Sequence, residues 1–169
     1  MKTITLLRHA KSSWKNPRLQ DLDRPLNRRG QANAGVMGER LLARGLIPSR
    51  IVSSPAARAR ETAFLVAEAF GVSIHAIQSA TALYTFNYED LLGWIRCFEN
   101  EDDNVLLVCH NPAITDLVNF LTLSHIEKIP TCGVAVLQLD ISRWKQLGAG
   151  MAELLFYDYP KSDTKAVSG

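Results

Sequence analysis

The chain has 169 residues, 47% apolar and 21% charged, with 19 basic against 17 acidic side chains and a net charge of +2. That length suits one domain, residues 1–169, with a core of its own. The composition excludes a disordered, collagenous or low-complexity chain. No stretch approaches the roughly 18 consecutive apolar residues of a membrane span, so no membrane partner is expected. Arg8 and His9 interrupt the N-terminal apolar run too early for a secretory signal peptide. Cys97, Cys109 and Cys132 are odd in number and lack CxxC spacing. They speak against a disulfide framework and a zinc cluster, and fit a reducing cytoplasm. Residues 1–60 carry 13 Lys/Arg against 3 Asp/Glu, whereas residues 61–169 carry 6 against 14. The basic residues are scattered, with no basic run and no interleaved aromatics. They read as solvated helix faces and as material for an anion site, not as a nucleic-acid surface.

In chain order, Lys2–Leu7 alternates as a strand, and residues 10–26, with Pro17 and Pro25, are loop. Asn27 opens a helix whose Ala34, Met37, Leu41 and Leu42 share one face, and Gly45 stops it. Ile51-Val52 is a short buried strand ending in Ser53-Ser54-Pro55. Residues 56–70 form a helix with a stripe of Ala59, Ala63, Val66, Ala67 and Phe70, ended by Gly71. Ile74–Ile77 is read as a short strand and Asn87–Phe98 as a helix. Val105–Val108 is the strongest buried strand. His110-Asn111-Pro112 follows it, then a helix to about Thr122 in which Asn111 caps and Pro112 suits the first turn. Val134–Leu139 and Leu154–Tyr159 alternate as a closing pair of strands. Strands alternating with helices imply an α/β fold, a three-layer α/β/α sandwich on a mostly parallel sheet.

Ligands of open α/β sheets bind beyond the carboxyl ends of the strands. Those ends carry Arg8-His9, then Ser53-Ser54-Pro55 with Arg58 one turn on, then Cys109-His110-Asn111. Two histidines and two arginines therefore converge on one sheet edge. Arginine forks suit phosphate oxygens, a helix N-terminus after His110 adds partial positive charge, and Ser12 is a further candidate phosphate donor. His75 and His125 match no such pattern and are read as surface or structural. Cys109 reads as a buried small apolar residue. Trp14 borders the site mouth or packs on the surface.

Three segments carry a family likeness. Leu7-Arg8-His9-Ala10-Lys11-Ser12 resembles the Arg-His-Gly signature of the histidine phosphatase superfamily, with Ala10 in the glycine's place. Ser54-Pro55-Ala56-Ala57-Arg58-Ala59-Arg60-Glu61-Thr62-Ala63 resembles its second-arginine motif. Val108-Cys109-His110-Asn111-Pro112 resembles its second-histidine motif. The run Asp21–Gly30 and Ala82-Leu83-Tyr84 are similar to the short SixA-type phosphohistidine phosphatases. The resemblance implies a phosphoglycerate mutase-like sandwich and a cofactor-free, metal-independent phosphatase. It implies His9 as the nucleophile of a covalent phosphohistidine intermediate. Arg8, Arg58 and His110 would bind and stabilise the phosphoryl group.

The superfamily's usual acidic residue after the third strand has no counterpart in Ala82–Asn87. Asp21, Asp23 and Glu89 are the candidate acids, with Asp21 preferred because the loop after His9 can fold over the site. The missing acid at the usual place, since an imidazole leaves with less help than an alkoxide, and a short chain without lid insertions favour a phosphohistidine-bearing protein as substrate, handled by a monomer in the cytoplasm. A small-molecule phosphomonoesterase or mutase is one alternative, and a non-catalytic phosphoprotein-binding module is another.

Overall fold

The computed structural model describes residues 1–162. Ten regular elements carry the fold: β1 Lys2–Arg8, α1 Arg28–Ala43, β2 Arg50–Ser53, α2 Ala57–Ala69, β3 Gln78–Ser79, α3 Tyr88–Ile95, β4 Asn104–Cys109, α4 Ala113–Thr122, β5 Val134–Leu139 and β6 Ala152–Asp158. The strands form one sheet in the order β3-β2-β4-β1-β5-β6. The first four run parallel, and β5 lies antiparallel to both β1 and β6.

Side-chain alternation along the strands builds two cores. Ile4, Leu6, Val105 and Leu107 point to one face, where Leu91 and Ile95 of α3 and Ile114, Leu117 and Leu121 of α4 cover them. Leu7, Ile51, Leu106 and Val108 point to the other face, under Ala34, Met37 and Leu41 of α1 and Ala59, Ala63 and Val66 of α2. Two helices on each face of a parallel-centred sheet make the expected sandwich. The central strands read as continuous apolar runs because both faces are covered.

The helix stops behave as their sequences suggest. Gly45 and Gly71 both take φ +69, the left-handed conformation that glycine adopts without a Cβ clash. The Asn27 side chain accepts from the Gly30 amide at 2.8 Å and opens α1.

Two readings need correction. Ile74–Ile77 is not a strand: Ile74–Ala76 is a 3₁₀ turn, and β3 is only Gln78–Ser79. An edge strand needs few pairings, and β3 makes two with β2, so the short apolar run before it is free to coil. Asn111 does not cap α4. Pro112 occupies the cap position without a side-chain bond, and Asn111 Oδ1 instead accepts from the Thr115 hydroxyl at 2.7 Å.

Candidate active site

Backbone register brings the strand ends together. Arg8 stands opposite Cys109, and Ser53 opposite Val108. Past the ladder, His9 N donates to Cys109 O at 3.2 Å and Ser54 N to Val108 O at 2.9 Å. Cys132, at φ +60, donates its amide to His9 O at 3.1 Å just before β5 begins. The residues after β1, β2 and β4 therefore share one edge because the hydrogen-bond ladder fixes them there.

They line a cavity of about 570 Å³ whose walls include Arg8, His9, Ser12, Asp21, Arg24, Arg58, Tyr84 and His110. His9 is 8% exposed. Its Nδ1 donates to Ala10 O at 2.8 Å; a carbonyl only accepts, so the proton sits on Nδ1 and Nε2 keeps its lone pair. Arg58 Nε lies 3.4 Å from that Nε2. Burial, opposed by the Ala10 carbonyl and reinforced by the charges of His110, Arg58 and Arg8, pulls the His9 pKa down to about 3. The imidazole is neutral and its free nitrogen faces the guanidinium.

His110 is almost fully buried, and its ring centre lies 5.1 Å from that of His9. Its Nε2 pairs with Ser54 Oγ at 2.7 Å, while Nδ1 lies 3.5 Å from Arg58 Nη2. A guanidinium only donates, so the proton belongs on Nε2, shared with Ser54. Burial and the Arg58 charge, partly offset by Asp21, lower its pKa to about 4.

Arg58 enters from the first turn of α2 and is 3% exposed. Thr62, one turn later, accepts from the Ala10 amide at 3.0 Å and donates to Arg58 O at 2.7 Å. One hydroxyl thus ties the loop after His9 to the helix that carries Arg58. Ala10 sits without strain: its φ is not positive and its methyl is buried in the core. Arg8 Nη1 donates to Ile129 O at 2.8 Å. Its Nε is buried and makes no hydrogen bond among the described residues. An unpartnered buried donor costs on the order of 1–3 kcal/mol, which a bound oxyanion would offset.

Asp21 reaches the site from the 3₁₀ turn Asp21–Asp23. Its Oδ2 accepts from Arg58 Nη2 at 2.9 Å and from the Tyr84 hydroxyl at 2.5 Å, and its Oδ1 accepts from Arg24 Nη2 at 2.9 Å. Its backbone carbonyl accepts from Arg58 Nη1 at 2.7 Å. Partial burial pushes its pKa up, but the bonds from Tyr84, Arg24 and Arg58 and the Arg58 charge outweigh that and hold the carboxyl well below the usual range. The structure places Asp21 in the cavity wall, as expected, with its carboxylate accepting from Arg58, Arg24 and Tyr84. Asp23 and Glu89 are exposed and do not line the cavity. Ser12 lines it, and its Oγ accepts from Arg24 Nη1 at 2.6 Å, which leaves its O–H free to donate.

Arg24 was not singled out by sequence reasoning. It is 8% exposed and its guanidinium lies 3.6 Å from the ring centre of Trp14. Tyr84 and Phe86 pack against His110, with ring centres 5.3 and 5.9 Å away. The signals were present in Arg24-Pro25-Leu26 and Leu83-Tyr84, but only as parts of motifs. His75 and His125 lie outside the cavity. Among the described residues, no group of three or more His, Cys, Asp or Glu is arranged to hold a metal ion, and no helix is long and apolar enough to cross a membrane.

A family model for the histidine phosphatase superfamily (branch 1) matches residues 4–91. An uncharacterized chloroplastic protein of Arabidopsis thaliana is 32% identical over 85% of this chain and 69% of its own. The crystal structure of a protein assigned as the phosphohistidine phosphatase SixA from Agrobacterium tumefaciens superposes with TM-score 0.79 at 30% identity, covering 94% of this chain and 98% of that one. The protein histidine phosphatase SixA complexed with tungstate shares the fold, with TM-score 0.77 at 20% identity over 94% and 97% of the two chains. Matched by the family model over half its length and by a solved relative over nearly all of it, the chain belongs to the histidine phosphatase superfamily and is a phosphatase.

Proposed function

We propose that this phosphatase works through a phosphohistidine formed on His9 and removes phosphoryl groups from phosphohistidine on a protein partner. The observation that carries the reading is the state of His9, a neutral ring with its Nδ1 proton committed to Ala10 O and its Nε2 lone pair beside Arg58. A nucleophile held this way needs no base to activate it.

In the proposed reaction, Nε2 attacks phosphorus in line. The P–Nε2 bond forms as the bond to the leaving group breaks. Arg58 and the unpartnered Nε of Arg8 meet the charge on the equatorial oxygens. The bound dianion raises the proton affinity of His110, whose Nδ1 takes a proton from solvent, donates it in a hydrogen bond to a phosphoryl oxygen and returns it to solvent when phosphate leaves. Water attacks the phosphohistidine in the second step, releasing phosphate and restoring neutral His9. Fixed positive charge from protein side chains does the work that a metal does elsewhere, so we propose that no metal is required.

Two observations favour phosphohistidine over an alkyl phosphate. The carboxylate nearest the reacting centre, Asp21, is held ionised by Tyr84, Arg24 and Arg58, whereas an alkoxide needs an acid to leave. A phosphorylated imidazole protonated on its other nitrogen departs as neutral imidazole and asks no acid of the enzyme. The mouth is also exposed: Trp14 is 76% and Phe86 53% accessible, leaving room for a side chain offered by another protein. Asp21 is then a positioning residue that holds the Arg58 fork. The free cysteines, with burial pushing the Cys109 and Cys132 thiols up to about 12, suit a reducing cytoplasm.

The test is a substrate comparison in excess EDTA. A phosphohistidine peptide, a sugar phosphate and 3-phosphoglycerate are offered at equal concentration. The reading expects kcat/KM for the peptide to exceed the others by at least about 100-fold, the range that leaving-group assistance spans. Faster turnover of either small ester would favour the small-molecule phosphatase. Activity that is lost in EDTA and returns with Mg²⁺ would overturn metal independence.

A further inference from the structure

A second cavity, of about 190 Å³, abuts the catalytic pocket, and Lys11 and Thr131 line both. Lys11, Arg29 and Lys161 project on it, with Tyr159 and Pro160 forming its far wall. Among the described residues, no acidic residue lines it, and none of its three cations is in a salt bridge. Its shape is built and not incidental. Arg40, further along the same helix as Arg29, pairs with buried Asp158 at 3.1 Å and donates to Tyr159 O at 3.2 Å, fastening the end of β6 against α1. The opposite wall, Pro130-Thr131, precedes the Cys132 amide that donates to His9 O.

Three like charges around one concavity repel one another and raise its affinity for an anion. A single phosphoryl group does not need this cavity, since Arg8, Arg58 and His110 already surround the place beside His9. We infer that the second cavity seats another acidic group of the substrate, a carboxylate or a phosphate, carried beside the phosphoryl that His9 receives. Lys11, on the boundary, contacts both groups. The inference rests on the reading of the His9 pocket as the phosphoryl site and adds to it what the rest of the substrate looks like.

The test is calorimetric binding of paired probes: a series of ω-phosphonocarboxylates of increasing chain length, and the alkylphosphonates of equal length. At low salt, at least one phosphonocarboxylate should bind about tenfold more tightly than its alkyl partner, as expected of a few exposed ion pairs acting together. The preference should shrink as ionic strength rises. Arg29→Gln with Lys161→Gln should abolish it while leaving p-nitrophenyl phosphate turnover unchanged, and Lys161→Gln alone should reduce it. Equal binding within every pair, or a preference that survives the double substitution, overturns the second seat while leaving the His9 pocket intact. Failure of every phosphonate to bind overturns both. Phosphohistidine peptides with Glu or Gln beside the modified residue identify the source. A lower KM for the Glu peptide, lost in the double variant, supports a protein-borne carboxylate. A preference confined to the phosphonocarboxylates supports a small acidic substrate.

Discussion

The floor and the mouth of the catalytic pocket are held by different forces. The floor (His9, Arg58 and His110) is buried, and each residue follows or closely succeeds a core strand whose register is set by backbone hydrogen bonds. The mouth (Trp14, Asp21, Arg24 and Phe86) lies on loops. Side-chain contacts hold it: Arg24 on Trp14, Ser12 and Asp21, and Asp21 on Arg58 and Tyr84. Ladder geometry cannot drift without breaking the core, whereas the mouth's ion pairs meet at the half-exposed Asp21 carboxylate, which water and a ligand can reach. The floor is therefore suited to one chemistry, and the mouth to choosing what reaches it.

Arg58→Lys is the sharpest way to break the floor. Lysine keeps the charge but loses the fork that reaches His9 Nε2, Asp21 O and Asp21 Oδ2 at once. The expected loss in kcat/KM is on the order of 100-fold or more, with the melting temperature little changed. A variant within about threefold of the parent would show that charge alone suffices.

Gly30→Ala tests the join between floor and mouth. A Cβ at Gly30 would lie 2.2 Å from Lys11 O, where the loop after His9 crosses the start of α1. Asn27 N donates to that same carbonyl at 2.9 Å. Overpacking here should cost roughly 1–3 kcal/mol in urea unfolding and lower kcat together with stability. An unaffected enzyme would mean the loop has slack and does not position His9.

Asp21→Asn acts where the mouth braces the floor, at the contact of Asp21 with Arg58. As a positioning residue, Asp21 should cost about 2–5-fold with p-nitrophenyl, alkyl and phosphohistidine substrates alike, a loss comparable with one partly exposed charged contact. A loss on the order of 100-fold confined to the alkyl phosphate is the signature of a general acid and would restore the donor role expected from its place in the sequence. Glu89→Gln, outside the cavity, is the control.

Stability in acid tests the burial of the floor without touching turnover. The folded pKa values of His9 and His110 lie near 3 and 4, below the 6.5 of a free imidazole. Between those values the unfolded chain binds more protons than the folded one, so stability falls as pH drops below about 6.5. From pH 7 to pH 5 the two rings together should account for roughly 2–4 kcal/mol. Urea midpoints of the parent and a His9→Gln, His110→Gln variant over this range should diverge in slope. Parallel slopes would mean the rings titrate normally in the folded protein.

The same division decides what was legible in the sequence. The floor could be read because Lys2–Leu7, Ile51-Val52 and Val105–Val108 are apolar runs whose ends name their neighbours, and β1 and β4 do pair there. The two helices that close one face were readable from their spacing and from Gly45 and Gly71. The mouth could not be read so. Residues 10–26 have no periodicity, and nothing local says that Arg24 stacks on Trp14 or that Asp21 spends its oxygens on Arg58, Arg24 and Tyr84. What Asp21 does in the pocket turns on partners at Arg24, Arg58 and Tyr84, the farthest 63 positions away. The strand read at Ile74–Ile77 failed on the same ground, since apolar content alone does not distinguish an edge strand from a 3₁₀ turn beside one.

The central claim is that His9 itself receives the phosphoryl group, and rapid acid-free quenching tests it most directly. Enzyme mixed for milliseconds with a ³²P-labelled substrate, denatured in alkali and digested, should yield one labelled peptide containing His9. The label should be stable to base and lost in acid, as a phosphoramidate is, and His9→Ala should show neither label nor turnover above about one part in a thousand of the parent rate. Full turnover with no base-stable label, or a His9→Ala variant that keeps a substantial fraction of its activity, would contradict the covalent mechanism.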